Sequence, residues 1–241
     1  MKKHIPNLIT SRNVASGCFG IVFEFEGYHD TALMFMCFAL LFDFMDGAVA
    51  RLLNVSSPMG KELDSLADMI TFGLLPGVMM FRYMLVNSCD PKICTGLIAN
   101  EYFPFTAFII TIYSAWRLAK FNIDTRQSDR FFGLPTPANA IFIATLPYLL
   151  GHSPFIDAYL NNPKVLLLIT LFMSWLLVAD IPLIALKFKN LSFKENTFRF
   201  LLILTSCILL IFLQFAAVPL IIFFYIALSI IENFFSKNEV S

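Results

Sequence analysis

Four carboxylates interrupt two apolar stretches of this sequence, in the run DFMDGAVARLLNVSSPMGKELDSLAD from Asp43 to Asp68. A carboxylate inside a membrane-length apolar segment is costly and is by default the mark of a functional site. The spacing is helical. Asp43, Asp46, Gly47, Ala50 and Arg51 follow i, i+3, i+4, i+7, i+8, which is one face of an α-helix. Gly60, Asp64 and Asp68 follow i, i+4, i+8 on another. Asn54 to Ser57 make a short polar turn between the two, and Ser57-Pro58 offers an N-cap followed by a first-turn proline. The spacing therefore predicts an antiparallel helical hairpin. At about 1.5 Å per residue the carboxylates lie roughly 9–15 Å from the turn, so all four converge at one depth if the faces meet.

The chemistry follows from the donor types. The ligands are all oxygen, with no His or Cys among them, which suits Mg²⁺, Mn²⁺ or Ca²⁺ rather than zinc. Four carboxylates are enough for two ions about 3.5–4 Å apart, a clamp suited to displacement at phosphorus. Gly47, Ala50 and Gly60 leave the same faces nearly bare for a ligand, and Arg51 adds a fixed cation suited to phosphate. Two other readings of these residues stand beside it. One is small-residue helix packing around a buried ion-pair network; the other is the ion site of a cation-coupled transporter.

The rest of the chain must supply a setting in which such acids are expensive, and its composition does. Of 241 residues, 58% are hydrophobic and 28 are Phe. Soluble domains are nearer 45–50% apolar. An all-α, polytopic membrane protein is expected, a single domain over 1–241 with no soluble part of useful size. A core that carries the acids would occupy about 1–190, as a family resemblance given below implies, and 191–241 would add further helices. The zero formal charge argues against general nucleic-acid binding. The N-terminal MKKHIPNLIT lacks a cleavage pattern and is expected to stay in the chain.

Hydropathy predicts eight helices, at about 8–26, 31–53, 58–87, 101–121, 136–151, 164–187, 198–214 and 216–235. Six or seven spans remain open, because the first and fifth segments are short and polar and the last two share a weak break at Gln214. With eight spans and a cytoplasmic start, fourteen Lys and Arg fall on the inner side and three on the outer. That bias puts the 54–57 turn, and the acids about 10 Å beyond it, at the cytoplasmic face of the inner membrane.

Smaller features complete the reading. Asn7 and Thr10 could cap the first helix at the interface. Arg117 and Lys120, at i and i+3 on a helix end, suit snorkelling anchors for headgroups. Asp180 could pair with that basic region. Leu134 and Thr136 each precede a proline, so both are biased to extended backbone. Gly73 and Pro76 could bend the third helix. Cys18, Cys37 and Cys207 read as packing residues, and Cys89 with Cys94 could form a disulfide on an oxidising side.

The pattern Asp43-x2-Asp46-Gly47-x2-Ala50-Arg51-x8-Gly60-x3-Asp64-x3-Asp68 resembles the signature of the CDP-alcohol phosphatidyltransferases at every fixed position. That family moves a substituted phosphate from a CDP-linked donor to an alcohol and releases CMP. The resemblance implies two divalent cations, Mg²⁺ or Mn²⁺, among Asp43, Asp46, Asp64 and Asp68, with Ca²⁺ as a non-productive occupant. It implies Asp68 as general base. Asp43, Gly47, Ala50, Arg51 and Gly60 would line the CDP site, and Asn7 and Thr10, in an amphipathic interfacial N-terminal segment, would help hold the nucleotide. LDSLADMITFG, then RLAKFN from Arg117 to Asn122 and FFGLPTPA from Phe131, resemble the phosphatidylserine synthase branch, although Lys120 stands where arginine is more usual. Under that resemblance Arg117, Lys120 and Asn122 position the acceptor or donor phosphates. The substrates would be CDP-diacylglycerol and L-serine, the surroundings membrane lipids, and the assembly a homodimer. The same carboxylates would equally serve glycerol 3-phosphate or inositol as acceptor.

Overall fold

The computed structural model describes residues 4–55, 57–88, 103–123, 131–184 and 196–238. These are helical almost throughout. In order come α1 (His4–Phe25), α2 (His29–Leu52), α3 (Pro58–Asp68), a π-helical turn (Met69–Leu74) and α4 (Leu75–Ser88). A 3₁₀ segment (Phe103–Phe108) leads into α5 (Ile109–Ile123), and α6 (Thr136–Thr145) ends in another (Leu146–Leu149). Then follow α7 (Pro154–Leu160), α8 (Pro163–Val178), α9 (Thr197–Leu213), a third 3₁₀ segment (Gln214–Ala216) and α10 (Ala217–Asn238). One antiparallel bridge of two residues per side, β1 (Phe131–Phe132) with β2 (Pro182–Leu183), is too short to count as a sheet.

Three of these helical runs are long and apolar enough to cross a membrane among the described residues: His29–Leu52, Pro58–Asn87 and Thr197–Glu232. A fourth appears if α7 and α8, bent by 77° at their junction, count as one span. The chain is thus an integral membrane protein. The third run folds back on itself at Gln214, where φ is 49°, because Leu202 of α9 and Leu228 of α10 share one small buried cluster. Leu204, Ile211 and Phe212 of α9 stay exposed, as lipid-facing side chains should.

The hairpin forms as its sequence dictates. Ser57, in extended backbone, caps α3 by accepting from the Gly60 N–H at 3.0 Å, and Pro58 opens the first turn where its missing N–H costs nothing. Helix α1 packs against both arms. Gly17 lets α1 approach the π-helical turn as well: a Cβ there would lie 2.4 Å from Thr71 Cγ2 and 3.3 Å from the Thr71 Cα.

Past Asp68 the α-helical ladder gives way to the π-helical turn. Pro76 cannot donate to a carbonyl one turn back and its ring crowds that turn, so the wider helix relieves both problems. Two hydroxyls satisfy carbonyls along it. Thr71 Oγ1 donates to Ala67 O at 2.7 Å, and Thr111 Oγ1 of α5 donates to Gly73 O at 3.1 Å. The expected bend is therefore a change of helix type. The core around it is methionine- and phenylalanine-rich, with Phe72, Met80, Met84 and Phe142 fully enclosed.

Several sequence expectations need correction. Helix α8 stops at Val178, not near 187, because Ala179 turns extended (ψ 136°) and Pro182 lies in the bridge to β1. Thr136 is the first residue of α6 and not extended, since Pro137 sits in the first turn, where a proline is tolerated. Asn7 and Thr10 lie inside α1, which runs unbroken from His4, so neither caps it. Cys18, Cys37 and Cys207 are exposed on the outside of their helices and do not pack the core. Cys89 and Cys94 lie outside the described residues.

Candidate active site

The hairpin and α1 together build the site. Asp43 of α2 faces Asp64 and Asp68 of α3, and one carboxylate oxygen from each lies within 4.8 Å of the others. Three like charges this close, away from bulk water, repel strongly unless a cation or protons neutralise them. The set is all oxygen, and Asp68 Oδ1 is buried with no hydrogen-bond partner among the described residues. Such a cluster could hold a hard divalent cation.

Asp46 departs from the expectation of four converging carboxylates. It stands outside the three-acid set because the Thr10 hydroxyl of α1 takes its Oδ2 at 2.5 Å. Thr10 Oγ1 also lies 3.0 Å from Pro6 O, but a hydroxyl has one proton and the charged acceptor is nearer. Asp46 is 6% exposed although it borders a cavity, so this bond carries much of its polar contact.

That cavity, of about 260 Å³, adjoins the acid cluster through Asp64. Asn7, Thr10, Asp46, Gly47, Ala50 and Gly60 all line it. The bareness of its walls is structural fact as well as sequence pattern: a Cβ on Gly60 would meet Asn7 Oδ1 at 3.2 Å and Ser57 Oγ at 3.1 Å. Arg51 is exposed beside Gly47 and is not among the lining residues.

The three basic and amide residues of α5 separate. Arg117 is held near Asp68 and donates through Nη1 to Thr136 Oγ1 at 3.0 Å, with its guanidinium 5.1 Å from the centre of the Phe121 ring. Lys120 instead pairs with Asp180 at 2.8 Å and donates to Val178 O at 3.3 Å. Asn122 donates to Ser65 Oγ at 2.8 Å, and its carbonyl accepts from Lys61 Nζ at 3.0 Å, which ties the end of α5 to α3. Of the three, Arg117 is the one whose charge acts on the acid cluster, through Asp68.

The FGLPTP segment docks Arg117's partner. Gly133, at φ +76°, donates its N–H to Ile181 O at 3.0 Å, and Leu134 donates to Leu176 O at 2.8 Å. A Cβ on Gly133 would lie 2.6 Å from Leu177 O, so only glycine fits this approach.

With this geometry in view, the comparisons are decisive about lineage. Residues 3–186 match the CDP-alcohol phosphatidyltransferase family. The chain belongs to that family. Among similar phosphatidyltransferases, the CDP-diacylglycerol–serine O-phosphatidyltransferase of Helicobacter pylori is 31% identical over 205 residues, 84% of this chain and 80% of its own. The enzyme of the same name from Bacillus subtilis is 32% identical over 180 residues, 74% of this chain and 88% of its own. The archaetidylserine synthase of Methanothermobacter thermautotrophicus is 31% identical over 150 residues, 61% of this chain and 58% of its own. Members of the CDP-alcohol phosphatidyltransferase family use divalent cations, and the acid cluster is where this chain has the donors for them.

Sequence reasoning passed over three residues of this neighbourhood. Lys61 and Ser65 brace Asn122, and their signal was polarity at i and i+4 on the exposed side of α3. Asn13 lies on the packed face of α1, 0% exposed. Its signal was an amide at i+3 from Thr10 on a face otherwise made of small residues.

Proposed function

We propose that this chain transfers the phosphatidyl group of CDP-diacylglycerol to the hydroxyl of L-serine, giving phosphatidylserine and CMP. The observation that carries the chemistry is the meeting of Asp43, Asp64 and Asp68 beside a cavity with glycine and alanine walls. The choice of serine rests on the relatives, whose names specify that acceptor, and on the RLAKFN and FGLPTPA segments.

In this reading Asp43, Asp46, Asp64 and Asp68 hold two Mg²⁺ or Mn²⁺ ions. When bound, such ions draw charge from the phosphates and from departing CMP. Asn7, Thr10, Asp43, Gly47, Ala50, Arg51 and Gly60 receive the CDP moiety, the small residues by letting it approach the helix backbone. Asp68 takes the serine hydroxyl proton, for which its unpaired Oδ1 is available. The serine oxygen attacks the phosphorus that bears diacylglycerol, the bond from that phosphorus to the CMP oxygen breaks, and CMP leaves with the electron pair. Arg117 is suited to steady negative charge beside Asp68. Lys120 and Asn122, which brace the end of α5, help position the acceptor or the donor phosphates.

The same reading takes the chain as one domain over 1–241, with a core over about 1–190 and eight spans, α9 and α10 being two of them. The site opens to the cytoplasm at the inner membrane, the side favoured by the charge bias of the sequence. The N-terminal segment that carries Asn7 and Thr10 meets the membrane interface, and the protein is a homodimer, as the family resemblance implies.

The test is CMP release by the purified protein with CDP-diacylglycerol and Mg²⁺ or Mn²⁺, with serine, glycerol 3-phosphate and inositol in separate reactions. Release that needs serine, with phosphatidylserine as product, is expected. Release only with another alcohol keeps the acid site and discards serine; CMP release with none of them, from folded protein, discards the transferase reading.

A further inference from the structure

Asn13 is 0% exposed, yet among the described residues neither its amide nitrogen nor its amide oxygen has a hydrogen-bond partner. A primary amide can donate twice and accept twice, and an interior position that uses none of this is strongly unfavourable unless something else occupies it. The neighbouring hydroxyls are committed. Thr10 Oγ1 serves Asp46 and Thr71 Oγ1 serves Ala67 O.

The packing of α1 fixes where the amide lies. Asn7 abuts Gly60, and Gly17 abuts Thr71, so α1 runs parallel to α3 and the π-helical turn in step. Asn13 sits on the same face as Thr10 and Gly17, between them. The stretch of the third helix between Gly60 and Thr71 at that height is Ala67 and Asp68. On antiparallel α2, Thr10 meets Asp46, and one turn further along α1 corresponds to Asp43. Asn13 thus stands level with Asp43 and Asp68, whose Oδ1 is likewise buried and unpaired.

We propose that Asn13 is a positioning residue of the acid cluster, its amide completing the polar shell of a divalent cation held by Asp43, Asp64 and Asp68. The inference rests on the cation reading of that cluster. A buried amide level with Asp43 and Asp68 has both a donor for a carboxylate oxygen and an acceptor for a cation-bound water.

The test reads Mn²⁺ binding to the purified, substrate-free protein, through loss of the free-Mn²⁺ electron paramagnetic resonance signal. Asn13→Leu keeps the approximate volume and removes both polar ends. The expected result is Mn²⁺ affinity weakened by about tenfold, the lower end for outer-shell groups. The metal-free variant should melt no lower than the parent, because an unpaired buried amide has been removed. Unchanged Mn²⁺ affinity in Asn13→Leu, with the parent binding normally, overturns the inference and leaves the cation reading in place. A parent that binds no Mn²⁺, or an Asp68→Asn variant that binds like the parent, removes the cation reading and this inference with it. If Asn13→Leu does not fold, Asn13→Asp makes the same distinction. Mn²⁺ should raise its melting temperature by more than it raises the parent's, and an equal rise overturns the proposal.

Discussion

Thr10 of α1 and Asp46 of α2 are joined by a hydrogen bond of 2.5 Å between hydroxyl and carboxylate oxygens, and this bond closes the wall of the cavity beside the acid cluster. A bond to a charged acceptor contributes about 1.5–3 kcal/mol. Thr10→Val, close in shape but without the donor, should lower kcat/KM for CDP-diacylglycerol by about tenfold or more, whereas Thr10→Ser should keep most of it. Steady-state CMP release checks both.

The four aspartates should not behave alike. Asp43→Asn, Asp64→Asn and Asp68→Asn each break the three-carboxylate set. They should abolish turnover and weaken Mn²⁺ binding, with the fold kept, as circular dichroism would report. Asp46→Asn should also abolish turnover, yet leave more Mn²⁺ affinity than the other three, because Asp46 spends an oxygen on Thr10. Equal loss of Mn²⁺ binding in all four would contradict this division.

Chelation gives a coarser check. EDTA should bring CMP release to background, and added Mg²⁺ or Mn²⁺ should restore it, while Ca²⁺ should bind and inhibit. Activity that survives thorough chelation would speak against cations at the acids.

Gly133→Ala should destabilise the protein by about 1–3 kcal/mol, the range for a side chain forced into left-handed backbone, with further cost from the clash at Leu177 O. Since Leu134 and Thr136 follow directly, activity should fall with stability. A detergent-phase melting curve on wild type and variant suffices.

Arg117→Lys should cost at least tenfold in kcat/KM. A lysine has no fork with which to reach Thr136 while still facing Asp68. Lys120→Met should cost far less, since its exposed pair with Asp180 is of the kind that contributes about 0–1 kcal/mol.

How far the sequence could be read depended on the range of the interactions involved. The Ser57 cap, the first-turn Pro58 and the carboxylate spacing are local, and the hairpin followed from them. The Lys120–Asp180 pair was foreseen in kind, because an intramembrane acid needs a partner. The diversion of Asp46 was not, since it depends on how α1 lies across α2, a contact between residues 36 positions apart. The early end of α8 escaped hydropathy because Ala179 and Ile181 are apolar; what stops the helix is Pro182 and the backbone partner at Phe132. The surface positions of Cys18, Cys37 and Cys207 show the same limit in another form. In a bilayer, apolar character says nothing about which way a side chain faces.

The π-helical turn at Met69–Leu74 has one more consequence. One surplus residue in a helix rotates everything beyond it by roughly 100° relative to an unbroken α-helix. The acids of α3 and the methionines of α4 are thus keyed to different azimuths on one continuous rod. Removing a single residue from that turn would re-phase the rod. Either Asp64 and Asp68 would swing away from Asp43, or Met79, Met80 and Met84 would leave the core. The surplus residue is what lets one helix serve a polar partner at one end and an apolar one at the other.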